Sequence, residues 1–198
     1  MGENVRVNNG TVSDPLLDAL VETERHVAAA GWEQPPRLFA LVRTSRLLEM
    51  EPTLEGTLTP ADDEALSSIE QEGLEQALGV GKLSTDSALD TLLASLAWPE
   101  EVEGVALAVE RLVLPPSAAD DLPDNPDALA EAVTSHPDRV EVRLLAGVRR
   151  GSPGTCLLRQ RDHDSDDKVA IGHDIAPDLL AALAATLLPD EQTIADGH

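Results

Sequence analysis

RVEVRLLAGVRRGSPGTCLLRQR, residues 139–161, decides the fold. Val140, Val142, Leu144, Ala146 and Val148 alternate with Glu141, Arg143 and Arg149, the period of two that marks a strand with one face on a core and one face wet. Gly151-Ser152-Pro153-Gly154 is a turn, and Cys156 to Arg161 returns as the hairpin partner. After the polar loop Asp162 to Asp167, Val169 to Ile171 reads as one more short strand. Consecutive strands with short connections run antiparallel, because parallel neighbours need long crossovers.

Working outward, Gly104 to Leu114 is the most apolar segment, a central strand with both faces covered that stops at Pro115-Pro116. Ala176-Pro177 opens a closing helix with Leu179, Leu180, Leu183, Leu187 and Leu188, and Asn125-Pro126 opens a short helix that ends at His136-Pro137. Leu89, Leu92, Leu93 and Leu96 form a helical stripe before Trp98-Pro99. Towards the N-terminus, Asp14-Pro15 caps a helix carrying Leu16, Leu17, Leu20, Val21 and Val27 up to Gly31, and Leu38 to Val42 is the size of a strand. Residues 45–50 form a helical turn, Thr59-Pro60 starts a helix running through Gln71, and Gly79-Val80-Gly81 is a connector. The expected fold is α+β, a mainly antiparallel sheet of about five strands with helices packed on it. Residues 1–12 read as a disordered arm, 13–189 as a single α+β domain and 190–198 as a flexible tail.

Leu, Ile, Val and Phe make up 52 of the 198 residues, enough to build a core. With 37 acidic and 14 basic side chains the formal charge is −23, which repels phosphate backbones and anionic membrane surfaces, so neither nucleic acid nor membrane is an expected partner. No stretch nears the ~18 apolar residues of a membrane span, and the polar start has no apolar signal core. The one cysteine, Cys156, excludes an intrachain disulfide and a zinc site of paired thiolates. A reducing cytoplasm is the expected location.

Three blocks carry a resemblance. Gly31-Trp32-Glu33-Gln34-Pro35-Pro36-Arg37-Leu38-Phe39-Ala40-Leu41-Val42 resembles the opening block of an uncharacterised family of acidic actinobacterial proteins. Ala97-Trp98-Pro99 through Val102-Glu103-Gly104 to Glu110-Arg111-Leu112-Val113-Leu114-Pro115-Pro116 is similar to its middle, and His136-Pro137-Asp138-Arg139 through Ala146-Gly147-Val148 to its hairpin. The resemblance covers about residues 14 to 188 and implies no catalytic residue. The helix, sheet and helix order, small size and acidity also resemble the type III secretion chaperones, dimers that bind partner proteins, a likeness of architecture alone.

Charge is unevenly spread. Residues 139–161 hold six arginines against Glu141, while 49–103 hold 14 acidic residues against Lys82. Arg143, Arg149, Arg159 and Arg161 are therefore candidate protein-binding residues, a row of fixed donors for an acidic partner. The alternative is that they pair with carboxylates of the same molecule. Glu110, inside an apolar strand, needs a partner, and Arg143 on a neighbouring strand is the natural one.

Asp162, Asp164, Asp166 and His173 are the candidate metal ligands, but Asp167 stands where a calcium loop needs glycine and His173 where it needs a bidentate glutamate, so no bound metal is expected. Cys156 has no nearby His to activate it and reads as a packing residue. The expected function is a non-enzymatic cytoplasmic protein-binding or adaptor module without a cofactor. The alternative is a small metal-dependent hydrolase centred on the loop between Asp162 and Asp174. The expected partners are another protein and a second copy, joined through an unpaired sheet edge as a twofold dimer.

Overall fold

The computed structural model describes residues 14–58, 62–72, 74, 86–115, 118, 122–123 and 125–188. The expected arm and tail, the helix start Thr59-Pro60 and the connector Gly79-Val80-Gly81 lie outside them.

The first helix, α1 (Pro15–Ala29), begins where the Asp14 carboxylate accepts from the Leu16 and Leu17 backbone N–H groups at 3.1 and 3.4 Å. Those donors have no intrahelical acceptor, and Pro15 stands where an N–H is not needed. Then follow β1 (Arg37–Arg43), α2 (Thr44–Met50), β2 (Leu66–Gln71), α3 (Asp86–Ala94), β3 (Val102–Val113), α4 (Pro126–Ser135), β4 (Val140–Arg149), β5 (Thr155–Gln160), β6 (Ala170–Gly172) and α5 (Pro177–Thr186). The strands form one six-stranded antiparallel sheet in the order β2-β1-β3-β4-β5-β6. The chain is thus α+β, a sheet with helices packed on it. Among the described residues no helix is long and apolar enough to cross a membrane.

The sixth strand corrects the expected helix through Gln71. Residues 66–71 pair with β1 from Leu38↔Gln71 to Arg43↔Leu66, and the hydroxyls of Ser67 and Ser68 bond to those of Thr44 and Thr23 at 2.9 and 2.5 Å. These partners are distant in sequence, and pairing with them outweighs local propensity.

Alternation along the strands divides the core. On one face, α1 lays Leu16, Leu20 and Val27 on Phe39, Ala106, Leu145 and Leu157. On the other, α3 and α5 bring Leu89, Leu93 and Leu183 onto Leu107, Leu144 and Cys156. The wet face expected of β4 is consequently dry at Arg143 and Leu145, because α1 covers it. Gly147 sits beneath Leu20: a Cβ there would lie 2.4 Å from Leu20 Cδ2, so the bare backbone lets α1 approach β4.

Two local devices fix one end of the central strands. Leu41 pairs with Gly104 but Val42 with Val102, so Glu103 is the extra residue of a bulge. Arg150, just after β4, donates to the carbonyls of Val102 (3.0 Å), Trp98 (3.2 Å), Pro99 (3.3 Å) and Leu187. It thereby satisfies a carbonyl left over at the end of α5, where Trp98 Nε1 also donates to Thr186 Oγ1 at 3.1 Å.

Candidate functional site

Arg143 is the starting point, since it is 2 % exposed and a buried guanidinium needs compensation. Glu110 lies opposite it across β3 and β4, and Glu110 Oε1 accepts from Arg143 Nη2 at 2.8 Å. The same Nη2 donates to the Gly31 carbonyl. Arg143 Nη1 is buried without a hydrogen-bond acceptor among the described residues, and the Trp32 ring lies over the guanidinium, 4.4 Å from Cζ to the ring centroid. The electron-rich ring face supplies attraction that a hydrogen bond does not.

The loop carrying Trp32 is itself unusual. Gly31 has φ 87° and Glu33 φ 66°, and Glu33 is the only non-glycine residue with positive φ among the described residues. A left-handed glutamate is conformationally costly and persists where surrounding contacts fix it. Here Glu110 Oε2 accepts from Glu33 N at 2.8 Å, so one carboxylate holds both the buried cation and the strained turn. Gln34 Nε2 donates to the Val27 carbonyl at 3.0 Å, fastening the loop to the end of α1.

Arg159, 3 % exposed, faces Arg143 across the β4–β5 ladder. Glu24, on the buried side of α1, accepts from its Nε and Nη2 at 2.6 and 2.7 Å. Asp164 and Asp166 add bonds at 3.0 and 2.7 Å. Asp164 Oδ2 also accepts from Trp32 Nε1 at 2.8 Å, which closes the network. The Trp32 hydrogen bond and the Arg159 guanidinium hold the Asp164 carboxyl below the usual carboxylate range, and Glu24 above all keeps Arg159 firmly protonated.

The four candidate arginines do not form one exposed row. Arg143 and Arg159 are buried and paired within the molecule. Arg161 stands at the rim with 40 % of its side chain exposed, bonded to Glu141 at 2.5 Å and Glu33 at 3.4 Å, its Cζ 5.7 Å from the Trp32 centroid. Arg149 lies at the opposite end of the sheet, where it and Arg43 share Glu64 and Glu103, the bulge residue.

The four candidate metal ligands are likewise separated. Asp164 and Asp166 turn to Arg159, Asp162 is exposed, and His173 Nδ1 lies 2.7 Å from the Gly154 carbonyl oxygen. Among the described residues no group of three or more His, Cys, Asp or Glu side chains is arranged to hold a metal ion. Cys156 is a free, fully buried thiol, and burial pushes its pKa up.

Sequence reasoning found the Glu110–Arg143 pair but missed Trp32, Glu33 and Glu24. Glu24 carried a signal, because it is four residues after Leu20 and three before Val27, inside the buried stripe of α1. Nothing local announced the left-handed Glu33.

The family model described as PPA1309-like protein matches residues 16–188 of this chain. No curated protein and no solved structure matches it.

Proposed function

We propose, from the premise that this chain belongs to the PPA1309-like family, that it is a non-enzymatic protein-binding module whose docking surface is the corner around Trp32. The observation that supports this is the fixed presentation of Trp32 and Arg161 at the rim. Tryptophan and arginine are the side chains that most often anchor protein interfaces, and side chains already held in place lose less entropy on binding. Backbone strain at Glu33 supports the same reading, since strained residues concentrate where a surface is shaped for use.

The partner we infer is basic rather than acidic. Arg143 and Arg159 are engaged by Glu110 and Glu24, Arg161 is shared by Glu141 and Glu33, and the chain as a whole carries −23. A cationic surface would be steered towards such a molecule. An open cleft of about 250 Å³ lined by Asp18, Glu22 and Asp62 extends the same charge along α1. A cytoplasmic location fits the single buried thiol, and an origin among acidic actinobacterial proteins fits the charge.

A photo-cross-linking residue at Glu33, whose side chain is 80 % exposed, tests the reading in the native host. The expected result is a discrete adduct with a basic protein that disappears in the Glu141→Lys variant and is absent when the cross-linker replaces Asp178. No adduct at position 33, or the same adducts at both positions, overturns it.

A further inference from the structure

The two ends of the sheet differ in how they meet solvent. At one end β6 is three residues long and follows the loop of Asp162, Asp164, Asp166 and Asp167. Short length and nearby charge are devices that blunt an edge strand. At the other end β2 is six residues long and, among the described residues, pairs on one side only, with β1.

Its side chains carry little charge. Leu66, Ser67, Ser68 and Ile69 are uncharged in a chain of formal charge −23. Glu70 is neutralised in place, because Arg37 donates Nε and Nη2 to its two oxygens at 2.6 Å each. Ile69 is 37 % exposed, and Met50, 66 % exposed, belongs to α2, the helix packed on β1 and β2.

We propose that the outer edge of β2 pairs antiparallel with the same edge of a second copy, continuing the sheet across a twofold axis. A twofold joins identical surfaces, so the edge must suit itself. With the axis at Ile69, that residue stands opposite itself, Glu70 opposite Ser68 of the second copy and Gln71 opposite Ser67, so no like charges meet across the ladder. Of the two edges, this is the longer, and the one charge on its strand is already paired. Backbone hydrogen bonds supply the attraction, and Ile69 adds an apolar contact.

Light scattering on the full chain, from low-micromolar to hundred-micromolar, tests this. The mass should rise from 21.0 kDa to twice that value and stop there. Added salt should strengthen the dimer, because it screens the repulsion of two acidic chains. Ile69→Lys should raise the concentration of half-dimerisation by about tenfold or more with an unchanged melting temperature. That substitution makes the chain less acidic, so its effect is not one of added repulsion. Ile171→Lys on β6 should leave the dimer intact. A monomer mass at the highest concentration, a mass beyond two chains, weakening by salt, or sensitivity to Ile171→Lys with indifference to Ile69→Lys each overturns the proposal.

Discussion

Arg143 and Arg159 stand directly opposite one another on β4 and β5, two guanidinium groups buried side by side. Like charges in register repel, so each is held by a carboxylate from a different element, Glu110 from β3 and Glu24 from α1. The sheet therefore depends on α1 for more than apolar cover. Removing the helix would leave Arg159 without its bidentate partner.

Arg159→Ala would strand the Glu24 carboxylate in a dry site. Breaking one side of a buried ion pair costs about 3–5 kcal/mol, which for a chain of this size lowers the melting temperature by roughly 6–20 °C. Glu24→Met combined with Arg159→Met should recover most of that loss, since a buried pair is often replaceable by apolar side chains. Thermal melts followed by circular dichroism measure both. A single variant that melts like the parent would refute the dependence.

Trp32→Ala should cost more than Trp32→Phe. Phenylalanine keeps a ring face over Arg143 and loses only the bond to Asp164, worth about 1 kcal/mol, whereas alanine also removes a desolvated cation–π contact worth about 2 kcal/mol. In an Arg143→Leu background the gap between the two variants should narrow. Denaturant titrations of the four proteins give the coupling, and a gap unchanged by Arg143→Leu would dissociate Trp32 from that charge.

Glycines at two places on β3 and β4 should differ in their tolerance of alanine. At Gly147 the intruding Cβ meets Leu20 Cδ2, a side chain that a smaller residue relieves, so Leu20→Val should restore part of an overpacking loss of about 1–3 kcal/mol. At Gly104 the Cβ lies 2.4 Å from the Val148 carbonyl oxygen, and backbone cannot be trimmed. Gly104→Ala should be the more damaging of the two by chemical denaturation. The reverse order would mean that α1 seats elsewhere.

Acid should unfold the protein through particular groups. Asp164 is held low by Trp32 and then Arg159, Glu64 by Arg149 and Arg43, and Glu70 by Arg37. A carboxyl more acidic in the folded than in the unfolded chain adds stability above its unfolded pKa and loses it as pH falls through its folded one. Stability should hold above about pH 5 and decline below about pH 4. Asp164→Asn with Glu70→Gln should flatten that decline. Relief of net repulsion as pH falls towards the sequence pI of 4.3 works in the other direction, so stability that rises from neutral pH down to that point would show that repulsion outweighs these pairs.

What the sequence disclosed and concealed follows from range. The β4–β5 hairpin was legible because alternation and Gly151-Ser152-Pro153-Gly154 are local, and α1 because Asp14-Pro15 and its apolar stripe are. β2 was not, since Ser67 and Ser68 become strand residues through partners on α1 and α2. The arginines looked solvated because polar alternation normally marks a wet face. Leu145 and Gly147, which share that face with Arg143, were the clue that something packs there. The Trp32 turn depends on Glu110, 77 positions after Glu33, and no window along the chain spans that distance.

The placing of the two indoles also supplies an optical assay. The chain has no tyrosine and only Trp32 and Trp98, one tied to Asp164 on the α1 side and the other to Thr186 at the end of α5. Fluorescence excited in the red edge of the absorption band therefore comes from one probe per helical layer. In Trp32→Phe the emission follows α5 alone, and in Trp98→Phe it follows the α1 corner alone. Whether the two layers leave the sheet together or in succession becomes a question of whether two emission curves coincide.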